Sequence, residues 1–371
     1  MRLLPYFIFA ISLCQIRAED IVIPIDGFSD AIHHWQNRHG DDYPRHALND
    51  IEAISDNLLL YQRSNGGWKE NEDPLRILSS QERLAILDEK QLDDTSFDNR
   101  NTYSQIEYLA HAYQALNDER YRKAVFEGLR FILEAQLASG GFTHSPPRND
   151  SYRGHITFAD EVMPGVLSVL KKVRDAAKPF EWIEDRDLIE ACGDAVEKGE
   201  RLMLDLQVVQ DGKRTAWAGQ YDVATLQPTR GRSFELPSIV AWESVAVVEY
   251  LMRIENPDPE VVDAIEGAID WFQRSALSGI RIERPEIEPV PFTYHTATVD
   301  PRLVSDADAP PIWARFYDLN TNQPILATRK GQRVSSYAEI SLERRSGYAW
   351  YGYWPRKLLE RDYPRWKREL R

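Results

Sequence analysis

Four short segments hold charged side chains between apolar or aromatic neighbours, where a folded chain keeps groups that do chemistry. They are Phe97-Asp98-Asn99, His155-Ile156-Thr157-Phe158-Ala159-Asp160-Glu161, Gly231-Arg232-Ser233-Phe234-Glu235 and Trp313-Ala314-Arg315-Phe316-Tyr317-Asp318. Asp98 and Asp160 each precede a run of helical periodicity. Each carboxylate is therefore placed either to cap a helix or to face whatever the helix starts surround. Two carboxylates meeting across a rim repel each other, and a hard cation with oxygen ligands and waters would offset that repulsion. Arg232 and Arg315, in apolar company, either pair with a buried carboxylate or hold a planar carboxylate in a two-pronged grip. An acid and base pair for glycoside hydrolysis stays open as well, because the separation that decides it is spatial.

Other chemistries lack their patterns. The eight histidines are scattered and form no HExxH, which argues against zinc. His155 reads as a residue that orients a loop. There is no G-x-S-x-G and no phosphate loop.

The elements that must position these groups are helices. Apolar residues at three- and four-residue spacing predict helices over 102–117, 161–176 and 236–254, the first capped by Asp98 or Thr102. A helix end recurs: Gln62 runs into Gly66-Gly67-Trp68, Gln136 into Gly140-Gly141-Phe142, Gln207 into Gly212 and Trp217, and Gln273, more weakly, into Gly279. The spacing of about 70 residues fits an internal repeat of helical hairpins, each closed where glycine takes the left-handed conformation cheaply. Stacked around an axis, they predict an all-α fold, an α/α toroid with helix starts gathered at one rim. Short β and irregular segments are expected mainly in the C-terminal third, around 280–282, 292–294 and 314–318. An aromatic stretch over 344–355 follows. Trp68, Phe142 and Trp217 either offer stacking surface to sugar rings or belong to the core.

Of the 371 residues, 43% are hydrophobic, enough for a large core, and the net charge of −14 argues against a nucleic-acid partner. An anionic polysaccharide would need a local basic cleft or a bridging cation. Residues 1–18 combine Arg2, an apolar run and Ala18 before Glu19-Asp20, which predicts a signal peptide and a secreted or periplasmic protein. Residues 19–371 then form a single domain, expected to be monomeric. No run approaches the roughly 18 apolar residues of a membrane-spanning helix. Cys192 remains after cleavage, and its helical context predicts a buried thiol.

With these residues in hand, the chain resembles the pectate lyases of polysaccharide lyase family 10 from about residue 50 to about residue 365. The likeness rests on Asn65-Gly66-Gly67-Trp68, Phe97-Asp98-Asn99 with Thr102, His155-Ile156-Thr157-Phe158 with Asp160, Gly231-Arg232-Ser233-Phe234-Glu235, Trp313-Ala314-Arg315-Phe316-Tyr317-Asp318, and Gly347-Tyr348 with Trp350-Tyr351-Gly352. It implies calcium-dependent β-elimination of polygalacturonate. Carried over, Asp98 and Asp160 hold Ca2+, Arg232 is the base that takes the C5 proton, and Arg315 grips a substrate carboxylate. Asp98, Asn99, Thr102 and Lys69 fall to substrate contact.

An arginine base must lose a proton that guanidinium normally keeps, and nearby calcium would help it do so, with an alkaline optimum. Two departures stand out. Glu70 occupies the place of a substrate-contacting lysine, with Lys69 one position earlier, and Arg100-Asn101 replaces the family's Gly-Ala. They favour retained elimination with altered subsite preference over the alternative, a non-catalytic uronate-polysaccharide-binding protein on the same scaffold.

Overall fold

The computed structural model describes residues 21–370; the segment read as a signal peptide lies outside the described residues. Nine principal helices follow in order: α1 (Ser29–His39), α2 (Ile51–Tyr61), α3 (Ser80–Asp88), α4 (Tyr103–Leu116), α5 (Glu119–Ala135), α6 (Val162–Arg174), α7 (Arg186–Asp205), α8 (Ala241–Leu251) and α9 (Pro259–Arg274). The pairs α4 with α5, α6 with α7 and α8 with α9 are the expected hairpins. A row of α4, α6 and α8 is backed by a row of α5, α7 and α9, giving the all-α toroid. The helices α5 and α7 bury one stripe each, through Ala124, Val125, Leu129 and Ile132 and through Cys192, Val196 and Met203. One apolar core runs from Ile23 to Trp366 and takes in Trp68, Phe142 and Trp217, so these three are not a sugar platform. Burial pushes the Cys192 thiol up to about 12, as a structural cysteine requires.

The repeated glutamines have a common task. Gln62 donates through Nε2 to the carbonyls of Gly66 (2.9 Å) and Ala124 (3.0 Å), Gln136 to Gly140 (3.0 Å) and Ala195 (2.8 Å), and Gln207 to Thr215 (2.8 Å) and Ala264 (2.7 Å). Each amide thus ties its own turn to the back-row helix of the next hairpin. The fourth copy differs: Gln273 is exposed, and the repeat continues instead in Trp313. The indoles of Trp68, Trp217 and Trp313 each donate to a carbonyl near the end of the preceding helix, at 2.8, 2.7 and 2.8 Å. Gln207→Ala removes two buried hydrogen bonds and is expected to cost about 2 kcal/mol in urea unfolding. Gln273→Ala is expected to stay within about 0.5 kcal/mol of the wild type.

Two sequence expectations are corrected, and one element was missed. The helix predicted from 236 begins at Ala241, because Ile239–Val240 pairs with Phe316–Tyr317 as an antiparallel strand. The 292–294 segment is the turn of a hairpin between Glu286–Pro291 and Thr296–Val299, with Phe292 N donating to His295 O at 2.8 Å. The helix α3 had not been foreseen, although Ser79 and Glu82 form a capping box at its start. Among the described residues, no helix is long and apolar enough to cross a membrane.

Candidate active site

Two tight turns, Asp98–Arg100 and Ala159–Glu161, stand at the same place in successive repeats, just ahead of α4 and α6. Asn99 (φ 52°), Asp160 (φ 51°) and Glu161 (φ 62°) all have positive φ. Such backbone costs of order 1 kcal/mol per non-glycine residue and persists where the surroundings dictate it. Neither aspartate caps a helix, so the capping reading fails for both Asp98 and Asp160. Their carboxyl groups instead stand close enough for each to act on the ionisation of the other.

Burial and the Asp98 charge push Asp160 up to about 8. Burial works against ionised Asp98 too, yet His144 and Arg232 hold it well below the usual carboxylate range. The pair therefore shares one proton at neutral pH. Asp98 Oδ1 is buried without a hydrogen-bond partner. An orphaned carboxylate oxygen beside a second carboxylate is an all-oxygen donor set that fits a hard divalent cation.

The two arginines approach Asp160, one at each of its carboxylate oxygens. Arg232 sits in a turn in which a Cβ on Gly231 would lie 2.4 Å from Glu235 Oε2, so a larger residue there would push the Glu235 carboxylate aside. Glu235 accepts from the Arg232 backbone N–H (2.7 Å), from Arg232 Nε (2.8 Å) and from the Tyr348 hydroxyl (2.7 Å). The Arg232 side chain is 42% exposed, and its Nη2 lies 3.8 Å from Asp160 Oδ2. Burial favours the neutral guanidine, but Glu235, Tyr348, Asp160 and Asp98 outweigh it and raise the Arg232 pKa.

Arg315 is 5% exposed, bonded to Glu243 through Nε (2.8 Å) and Nη2, with Nη2 3.9 Å from Asp160 Oδ1. Its guanidinium lies between the rings of Trp242 (4.6 Å) and Tyr348 (4.5 Å). In this structure it is a buried counter-charge beside Asp160.

The remaining assignments divide. Asn99 stays beside Asp98 and donates to Asn71 Oδ1 at 2.9 Å. Thr102 is fully buried; its hydroxyl donates to Ser96 O (2.8 Å) and accepts from Trp68 N–H (3.2 Å), so it shapes the turn. Lys69 points away, to Glu72 (3.2 Å) and Glu89 (3.7 Å). Neighbours on extended backbone face opposite sides, and Glu70 takes the inward direction toward Asp98 and His144. Arg100 turns outward to Glu161 (3.1 Å) and Asp30 (3.8 Å), so its charge stays off the carboxylate pair.

Sequence reasoning missed Glu70, His144 and Glu243 as members of the site. A signal was present for two: Glu70 and His144 are each the third residue after a Gly-Gly pair, and adjacent repeats set equivalent positions side by side.

A toroid whose rim gathers an acidic pair and two arginines suits an acidic polymer. Two solved structures agree with that. Family 10 polysaccharide lyase from Cellvibrio cellulosa is similar at TM-score 0.71 and 27% identity, over 91% of this chain and 96% of that one. A mutant of that enzyme in complex with trigalacturonic acid matches at TM-score 0.71 and 26% identity, over 91% and 98%. This protein is a polysaccharide lyase. The sequence model of the pectic acid lyases matches residues 62–359, and the chain belongs to that family. No curated protein shows significant similarity to it.

Proposed function

We propose that the protein cleaves polygalacturonate by calcium-dependent β-elimination, with Arg232 as the base. The observation that carries this reading is the meeting of Arg232 Nη2 with Asp160 at 3.8 Å, beside an Asp98 oxygen left without a partner. Asp98 and Asp160 would hold Ca2+, which supplies positive charge against the substrate carboxylate and so acidifies the neighbouring C5 proton. The half-exposed Arg232 takes that proton. The electron pair moves into the carboxylate-stabilised system and then forms the C4–C5 double bond as the C4–O bond breaks; the departing oxygen is protonated by water. Arg315 and Glu243 fix Asp160 from behind, and Asn99 keeps the turn that aims Asp98. Residues 19–371 act as one catalytic domain, monomeric and secreted or periplasmic after loss of 1–18.

Purified protein given calcium and polygalacturonate at alkaline pH is expected to release product with the absorbance of a conjugated double bond, and chelator should stop it. No rise with any pectic substrate overturns the proposal. Glu70 favours a second reading, because its carboxylate repels a uronate near Asp98. Calcium-dependent binding of oligogalacturonates without unsaturated product would select a non-catalytic uronate-binding protein.

A further inference from the structure

The cluster of Glu70, Asp98 and His144 has a donor set that the calcium pair lacks. One potential ligand atom from each residue lies within 4.8 Å of the other two. His144 Nε2 stands 3.3 Å from Asp98 Oδ2, close to the separation of two neighbouring ligands on one small metal ion. His144 is 5% exposed, and Glu70 is partly exposed, which leaves a way in.

His144 is oriented from its far side. Its Nδ1 lies 2.7 Å from the Ser145 hydroxyl, which in turn lies 3.1 Å from Ser96 Oγ, and this arrangement turns Nε2 toward the Asp98 carboxylate. Without a metal, an imidazolium Nε2–H satisfies that contact, and a metal ion would take the place of that proton. A hydrogen bond that locks the distal ring nitrogen is the usual support of a metal-binding histidine.

We propose that Glu70, Asp98 and His144 bind a first-row divalent transition ion, with Zn2+ preferred to Mn2+. One imidazole nitrogen with two carboxylates suits a borderline ion better than calcium, and affinity rises from manganese to zinc. Asp98 belongs to both sites, offering Oδ2 toward His144 while its other oxygen remains for the hard cation. Residue spacing argued against zinc because the three ligands lie on three separate segments. The inference stands apart from the lyase reading, since its test needs no sugar.

Isothermal titration of metal-stripped protein with ZnCl2 alone is expected to give one site, with MnCl2 weaker at the same site. His144→Gln should lower zinc affinity by about 30-fold or more. Glu70→Gln, an isosteric change at a partly exposed position, should lower it by about tenfold and gives a check should His144→Gln fold poorly. Asp160→Asn should keep the zinc site. Absence of zinc binding in the wild type, or zinc affinity unchanged in both His144→Gln and Glu70→Gln, overturns the proposal.

Discussion

Arg232→Ala is expected to lower kcat on polygalacturonate by about 10³-fold or more, with little change in KM or in melting temperature. The fold should tolerate the loss because the side chain is 42% exposed and the Glu235 to Tyr348 bond (2.7 Å) remains without it. Arg232→Lys keeps the charge but not the planar head and should recover little. The four groups that raise the Arg232 pKa sharpen the test: Glu235, Tyr348, Asp160 and Asp98 all favour the cation, and a base must lose its proton. Glu235 heads those four, so Glu235→Gln lowers the Arg232 pKa and moves the rise of the pH-rate profile toward lower pH. A cation on the two aspartates acts in the same direction by neutralising their charge. Turnover that survives in Arg232→Ala, measured by release of unsaturated product, would remove arginine from the mechanism.

Much of the scaffold was legible because the repeat writes the same solution several times. Gln62, Gln136 and Gln207 recur at about 70 residues because each must satisfy two carbonyls between one turn and the next helix. Periodicity located α4 and α6 to within a residue or two, since their buried faces follow the helical spacing without interruption. The start of α8 was misplaced because residues 239 and 240 are apolar, as a helix would also want. Only their partners, 75 or more residues downstream, make them a strand.

The site itself was half legible. Asp98, Asp160 and Arg232 stood out by their apolar company and do converge. Lys69 and Glu70 could not be told apart by type, because one step along an extended chain reverses the direction of the side chain. The burial of Arg315 could not be read because sequence carries no measure of exposure; its partner Glu243 lies 72 residues away and inside the start of a helix. Thr102 holds the shape of the turn ahead of α4: its hydroxyl is used by Ser96 and Trp68.

Asp160→Asn is expected to abolish the calcium response, lowering calcium affinity by about 100-fold or more, while making the metal-free protein more stable toward alkaline pH. The sign follows from the shift. Burial and Asp98 raise Asp160 to about 8 in the folded state, so the folded protein holds a proton there that the unfolded chain releases near pH 4. Across that interval the folded state binds more protons, and its stability falls as pH rises toward 8. Asparagine carries no such proton, leaves Asp98 with the field of His144 and Arg232, and removes the repulsion inside the pair. In chelator, the melting temperature of Asp160→Asn should therefore gain on the wild type steadily between pH 5 and pH 8 and then level. Added calcium should reverse the order, because the wild type alone has two carboxylates to offer it. A constant gap across that range would mean that the two carboxylates do not share a proton, and calcium stabilisation retained by the variant would place the cation elsewhere.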